Sequence, residues 1–275
     1  MILIGGQESA LEAGTWSSLW QKIYISQKNS PSKFRYLSPN HLQFELKLRT
    51  AIVDAAKALN RSGVQFETFE DSHCNPRYWN LNSKGGFELR EDVTPAEGIR
   101  DIFVNGPLYG FECATAMVIV LYKGVLDSIQ EQDFNRLFAG LLLYDWHYDS
   151  DLRLIEKFGV ESFPGDVRYF KNPQVNPEHM EWQGENTIKI EEDLYYGHGI
   201  GIVPSRAIIR ELNRKRIPGS TVSAYLTDQV IHPDFLYLSQ FEAGGMGVGP
   251  DMIQQAFMQN GGIASRIGRR RYLHI

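Results

Sequence analysis

At 275 residues the chain can bury a core as one large domain or two small ones without covalent staples. Its two cysteines argue against a disulfide framework and point to a reduced, intracellular setting. A formal net charge of -5, with acids and bases interspersed, argues against a nucleic-acid surface as its main purpose, and no segment approaches the ~18 to 20 apolar residues of a membrane helix.

The opening "MILIGGQESALEAG" lacks the basic lead and long apolar region of a secretory signal, so synthesis and residence in the cytoplasm are expected. The first forty residues show weak periodicity and read as loop, short strand and an amphipathic turn. Over 38–63 the pattern predicts a helix, with Ser38 as N-cap, Pro39 first, apolar residues at Leu42, Leu46, Ile52, Val53, Ala56 and Leu59, and Gly63 as terminator. A second helix follows from Thr94, with Pro95 at its first position and Glu97 completing a capping box, and ends at Asn105-Gly106. From about Phe111 to Leu126 the run is so uniformly apolar that the helix should be buried on most sides, with Cys113 in its first turn.

The texture then changes. "AGLLLYDWHYDS", "GDVRYFKNP", "GENTIKIEEDLYYGHGIGIV" and "STVSAYLT" read as strands of a mostly antiparallel sheet, interrupted by a helix over 205–216. A late helix is expected over 250–262, and Arg266, Arg269, Arg270 and Arg271 cluster near the end. Helices early and a sheet late make an α+β protein.

Cys113 carries the chemical question. Unpaired N–H groups at a helix start favour a thiolate by ~0.3–1 kcal/mol, and up to ~2 when partly buried. An ionised Glu112 about 5 Å away, in an effective dielectric near 20, would oppose this by about 3 kcal/mol. The carboxylate wins that contest, so a reactive Cys113 requires that Glu112 point away or hold a proton when the thiolate forms. A lone buried cysteine on an apolar helix is ordinarily a small hydrophobe. Against that reading stand polar residues interrupting the later strands, Asp145, His147, Glu185 and His198, since a base commonly follows the nucleophile's helix on a strand. Residue types alone do not choose among His147, His198 and Glu185. Cys74 in "DSHCNPRYW" is a weaker rival in an exposed turn, and a metal site from Cys113, Asp145, His147 and His198 lacks the paired spacing such sites show.

Nine blocks now stand in order over roughly 180 residues: "FELKLR" (44–49), "AAKAL" (55–59), "NGP" (105–107), "FECATA" (111–116), "LYDWHY" (143–148), "YFKNP" (169–173), "WQGEN" (182–186), "HGIGI" (198–202) and "SAYL" (223–226). Together they resemble the bacterial spore-coat protein-glutamine gamma-glutamyltransferases, the small calcium-independent transglutaminases of Bacillus-type spore formers. The first forty residues and those after about Thr227 lie outside these blocks.

The resemblance implies a single transglutaminase domain over 1–275 with a papain-like, NlpC/P60-type α+β core, its catalytic cysteine at the head of a buried helix packed on an antiparallel sheet. It implies Cys113 as nucleophile, Glu185 in the place a histidine takes in papain-like enzymes, and Glu112 as a second proton-handling carboxylate. His198 matches the histidine of an H-G-x-G-I segment, its role left open beside that of His147. Trp146 and Trp182 would wall a passage in which two substrate side chains meet. No cofactor and no metal are implied. The partners would be proteins, one donating a glutamine carboxamide and one a lysine amine, in the spore coat. The rival readings are a cysteine amidase or peptidase with water as acceptor, and a non-catalytic coat scaffold.

Overall fold

The computed structural model describes residues 1–9 and 11–244, together with the backbone of 263–267 and 270–274. The first half holds β1 (Ile2–Ile4), β2 (Gln7–Glu8), α1 (Ser18–Asn29), β3 (Phe34–Tyr36), α2 (Pro39–Arg61), β4 (Gln65–Phe66), β5 (Trp79–Leu81), β6 (Phe87–Leu89), α3 (Pro95–Val104), β7 (Gly110–Phe111) and α4 (Cys113–Leu126). The second half holds α5 (Glu131–Leu137), β8 (Leu142–Leu143), β9 (Leu154–Phe158), β10 (Val167–Lys171), β11 (Gly184–Glu191), β12 (Leu194–Gly197), β13 (Gly201–Val203), α6 (Ser205–Arg214), β14 (Tyr225–Pro233), α7 (Phe235–Ser239), β15 (Ile263–Ile267) and β16 (Arg270–His274). None of the helices searched is long and apolar enough to cross a membrane. The chain divides into two units, residues 1–47 with 235–275, and residues 48–234.

In the first unit β1 pairs in parallel with β3 and antiparallel with β2. Its core gathers Ile2, Ile23, Tyr24, Tyr36, Leu42 and Leu46. Helix α1 is the main departure from the sequence reading, which has only a turn there. The Ser17 side chain accepts the Trp20 N–H as N-cap. The apolar rhythm is weak because polar Gln27 takes a buried position, where its amide donates to the Glu45 carboxylate at 3.0 Å. β15 and β16 form an antiparallel pair. The helix expected over 250–262 lies outside the described residues, as do Arg269 and the side chains of Arg266, Arg270 and Arg271.

The second unit carries the α+β core. The capping signals act as expected: at the start of α2, within the first unit, Ser38 Oγ accepts the His41 N–H, and before α3 Thr94 and Glu97 form a complete capping box. Helix α4 begins two residues later than the apolar run suggests, because Gly110 and Phe111 pair in parallel with Gln65 and Phe66. Nearly all of α4 is buried, and it approaches α2 so closely that a Cβ on Gly124 would sit 2.5 Å from Ile52 Cγ1. The run 139–150 holds only the short β8 and then a turn closed by a Tyr144–His147 bridge, with Asp145 at φ 50°. An aspartate tolerates that left-handed conformation, which breaks the extended run the alternation suggests.

The main sheet has the order β13-β12-β11-β10-β14-β9, every neighbour antiparallel. One of its faces is covered by α6, whose Ile208 and Leu212 pack with Phe170 and Tyr195. Alternate residues on the other phase, Leu154 and Glu156 of β9, Tyr169 of β10, Gly184 and Asn186 of β11, and Gln229 and Ile231 of β14, line a common cavity. The sheet thus supplies a floor and the head of α4 a wall.

Candidate active site

At the head of α4 the chain turns from β7 through Glu112, whose extended backbone (φ -87°, ψ 177°) makes it the N-cap. Its carboxylate accepts the backbone N–H groups of Ala114 and, at 2.7 Å, Thr115. Glu112 therefore does not point away from the helix. It occupies the anion site that the first free N–H groups create. Cys113 is the first helical residue, and its thiol opens on a cavity of about 880 Å³.

Thr115 fixes the opposite rim. Its Oγ1 accepts the Asp145 N–H at 2.9 Å, anchoring the turn whose next residue, Trp146, lines the cavity. Trp182 lies differently. It is not among the lining side chains, but its ring lies 5.8 Å from that of Phe66, which is, and the Lys215 ammonium sits over the Trp182 ring, 5.2 Å from its centroid. Among the described lining residues five carry carboxylates, Glu70, Glu112, Asp145, Glu156 and Glu181, and none is a lysine, arginine or histidine.

Glu185 and Asn186 sit side by side at the start of β11, in register with Phe170 and Tyr169. Asn186 faces the cavity, and its Nδ2 donates to Cys113 Sγ at 3.5 Å. Glu185 is 1% exposed and does not line the cavity. Its carboxylate packs on Gly197, where a Cβ would come within 2.9 Å of Oε1. The His198 backbone N–H faces it, yet Oε1 has no hydrogen-bond partner. Burial first, and then the charge of Glu112, push the Glu185 carboxyl well above the usual range. Burial also pushes Glu112 up, with its helix-head hydrogen bonds working the other way. The Cys113 thiol is raised by burial, then by Glu185, then by Glu112, while hydrogen bonds from the backbone and side chain of Asn186 oppose the rise. The thiol and both carboxyls cannot all be charged together.

His198 has no such freedom. Its Nε2 lies 3.2 Å from the Gln65 carbonyl and 3.1 Å from that of Phe111. Carbonyl oxygens only accept, so Nε2 carries the proton and Nδ1 accepts the Tyr196 hydroxyl at 3.1 Å. Burial lowers its pKa to about 4, leaving it neutral at pH 7. The ring stacks on Phe111 at 5.0 Å and so clamps the residue preceding Glu112 and Cys113. Gly199 beside it has φ +88°, and a Cβ there would meet the Phe66 ring at 2.9 Å, which accounts for the glycine after this histidine. His147 is exposed in its turn and does not line the cavity. The Cys74 thiol meets the Trp79 carbonyl at 3.8 Å, and burial raises its pKa to about 11.

The sequence reading missed Asn186. A signal was available: in "GENTIKI" it stands in phase with Ile188 and Ile190, both buried, so a polar residue interrupts the inward-facing phase of its strand.

The family model described as "Protein-glutamine gamma-glutamyltransferase" matches residues 1–242, taking in the first forty residues that the recognised blocks left out. The protein-glutamine gamma-glutamyltransferase of Bacillus cereus strain G9842 is 49% identical over 221 residues, 80% of each chain. That of strain 03BB102 is 48% identical over 219 residues, 80% of this chain and 79% of the relative. Among solved structures, the transglutaminase from Geobacillus stearothermophilus without its C-terminal extension aligns with a TM-score of 0.72 at 52% identity, covering 75% of this chain and 99% of that one. An α+β enzyme of the acyltransferase class is thereby defined, and the chain belongs to the bacterial protein-glutamine gamma-glutamyltransferase family. Its activity is that of a transglutaminase, which cross-links proteins.

Proposed function

We propose that this transglutaminase works through a Cys113 thioester, with Glu185 as the principal proton carrier. One observation carries the reading: the thiol at the helix head is raised by the charges of Glu185 and Glu112, while both nitrogens of the buried His198 are engaged elsewhere. Glu185 takes the thiol proton, and the thiolate attacks the γ-carboxamide carbon of a substrate glutamine. The tetrahedral adduct collapses as Glu185 returns that proton to the departing nitrogen, releasing ammonia and leaving the thioester. A lysine amine then attacks, Glu185 accepts its proton, and the proton passes to the Cys113 sulfur as the isopeptide forms. A carboxyl raised toward neutrality suits both directions of transfer.

The lining supports an amine as the second substrate, since its five carboxylates favour a lysine ammonium over an anion near the thiol. Trp146 borders the approach directly, and Trp182 backs it through Phe66. Glu112 is the second carboxylate, and His198 positions the segment that carries both. The arrangement of a helix-head thiol against an antiparallel sheet supports a papain-like, NlpC/P60-type core. The whole chain, 1–275, is read as one transglutaminase domain, with the family match over 1–242 as support. The resemblance to the spore-coat enzymes supports coat proteins as the substrates and the spore coat as the site of action.

Replacing Cys113 by Ala tests the core of this reading. A folded Cys113→Ala protein is expected to incorporate no fluorescent amine into a glutamine-bearing protein, and retained incorporation would remove Cys113 as nucleophile. Mass spectrometry of a stalled acyl-enzyme should find the added acyl mass on the peptide containing Cys113.

A further inference from the structure

We propose that Asn186 is a further catalytic residue, its side-chain amide holding the Cys113 sulfur and then donating to the oxyanion of the tetrahedral adduct. The inference rests on Cys113 as nucleophile and adds to that reading a side-chain donor beside the sulfur.

An acyl transfer of this kind needs hydrogen-bond donors where negative charge gathers, first on sulfur and then on the former carbonyl oxygen. At a helix head the expected donors are the first backbone N–H groups. Here the N–H groups of Ala114 and Thr115 are already given to the Glu112 carboxylate. Among the described residues the cavity lining holds five carboxylates, Glu112 included, and no cationic side chain. Besides the Cys113 N–H itself, the donor beside the sulfur is Asn186, with Nδ2 3.5 Å from Sγ.

Its placement is built into the sheet. Asn186 pairs with Tyr169 across β10, and both line the cavity, so strand alternation aims the amide at the thiol. The strand also brings the Asn186 backbone N–H to the same sulfur, and these two contacts are what works against the rise imposed by burial and by the carboxylates. A neutral amide suits the position. It donates to an anion without becoming a base, and it does not repel a lysine ammonium as a cationic side chain would. The oxyanion forms one bond from the carbon that Sγ attacks, within the swing of a donor already bonded to that sulfur.

Three variants and two measurements test this. Asn186→Ala should lower kcat for amine incorporation by about 10²–10³-fold, the usual loss for one oxyanion donor, with KM for the amine changed far less. Iodoacetamide labelling of Cys113, followed by mass spectrometry at fixed pH without substrate, should slow about tenfold, since one charge-assisted hydrogen bond to the thiolate is lost. Asn186→Asp, of the same size, should lose more than Asn186→Ala on both measurements, because it sets an acceptor against the sulfur. Asn186→Gln should recover part of the labelling rate by restoring a donor. A residue that merely fills space would not lose labelling in Asn186→Ala and recover it in Asn186→Gln. If Asn186→Ala does not fold, the Asp and Gln variants decide. Retention of kcat within about threefold in both Ala and Asp variants would overturn the inference, as would unchanged labelling. Should wild-type protein labelled at Cys113 keep its activity, the nucleophile assignment falls and this inference falls with it.

Discussion

Two carboxylates flank one thiol, and the helix head and the sheet treat them in opposite ways. Glu112 caps α4 and accepts two backbone N–H groups, so its charge is met by donors and by the helix dipole. Glu185 at the start of β11 is fully enclosed, with one carboxylate oxygen lacking any partner. Burial raises both; at Glu112 the bonds from Thr115 and Ala114 oppose the rise, and at Glu185 only the His198 N–H does. In the mechanism proposed above, this unequal solvation ranks the pair: Glu185 carries the mobile proton, and Glu112 serves the helix head.

The largest expected effect breaks that ranking at its strong end. Glu185→Gln should reduce transfer by roughly 10²–10⁴-fold, the range of a lost general acid–base group, without lowering the urea midpoint. The wild-type acid limb of kcat/KM should lie above the ordinary carboxylate range. The sign follows from the base role: activity requires the deprotonated carboxyl and is lost as pH falls through its raised pKa. A profile still flat through that region, or a Gln variant with near-normal kcat, would deny Glu185 the role.

His198 joins the two regions, its backbone N–H facing Glu185 and its ring holding the carbonyl before Glu112. Its pKa is lowered in the fold, so between about 4 and 6.5 the unfolded chain binds a proton that the folded protein refuses. The stability this neutral ring contributes is complete above about pH 6.5 and is lost as pH falls toward 4. Urea titrations of wild type and His198→Gln should thus converge over that interval by up to about 3 kcal/mol. Parallel stabilities from pH 4 to 7 would mean that the ring protonates freely in the folded state.

The early helices were legible because their signals are local: Ser38 before α2, the Thr94–Glu97 box before α3, and the unbroken apolar run of α4. The antiparallel sheet was legible from its alternation and turns. Helix α1 was not, because a buried Gln27 satisfied by distant Glu45 breaks the apolar rhythm that would reveal it. The conflict at Glu112-Cys113 was visible in sequence, and the solution was not. Adjacency suggested a carboxylate turned aside or protonated, whereas a bonded N-cap depends on backbone torsions at one residue. Asn186 was hidden for a related reason, since its partner sulfur lies 73 positions away and only the packing of α4 on β11 brings the two together.

The smallest expected effect probes the weak end of the ranking. In Glu112→Gln one acceptor oxygen remains for the helix head, and the new amide turns donors toward an N–H, so one capping bond is lost at a cost of about 1 kcal/mol. Equilibrium unfolding should register that cost, whereas Glu185→Gln should show none. Transfer should fall but remain measurable, because the proton path through Glu185 is intact and the repulsion between Glu112 and the thiolate is relieved. The two effects separate a carboxylate that holds the helix from one that moves protons. Equal and complete loss of transfer in both Gln variants, with unfolding midpoints unchanged, would make the pair a single proton relay and erase the difference between helix head and sheet.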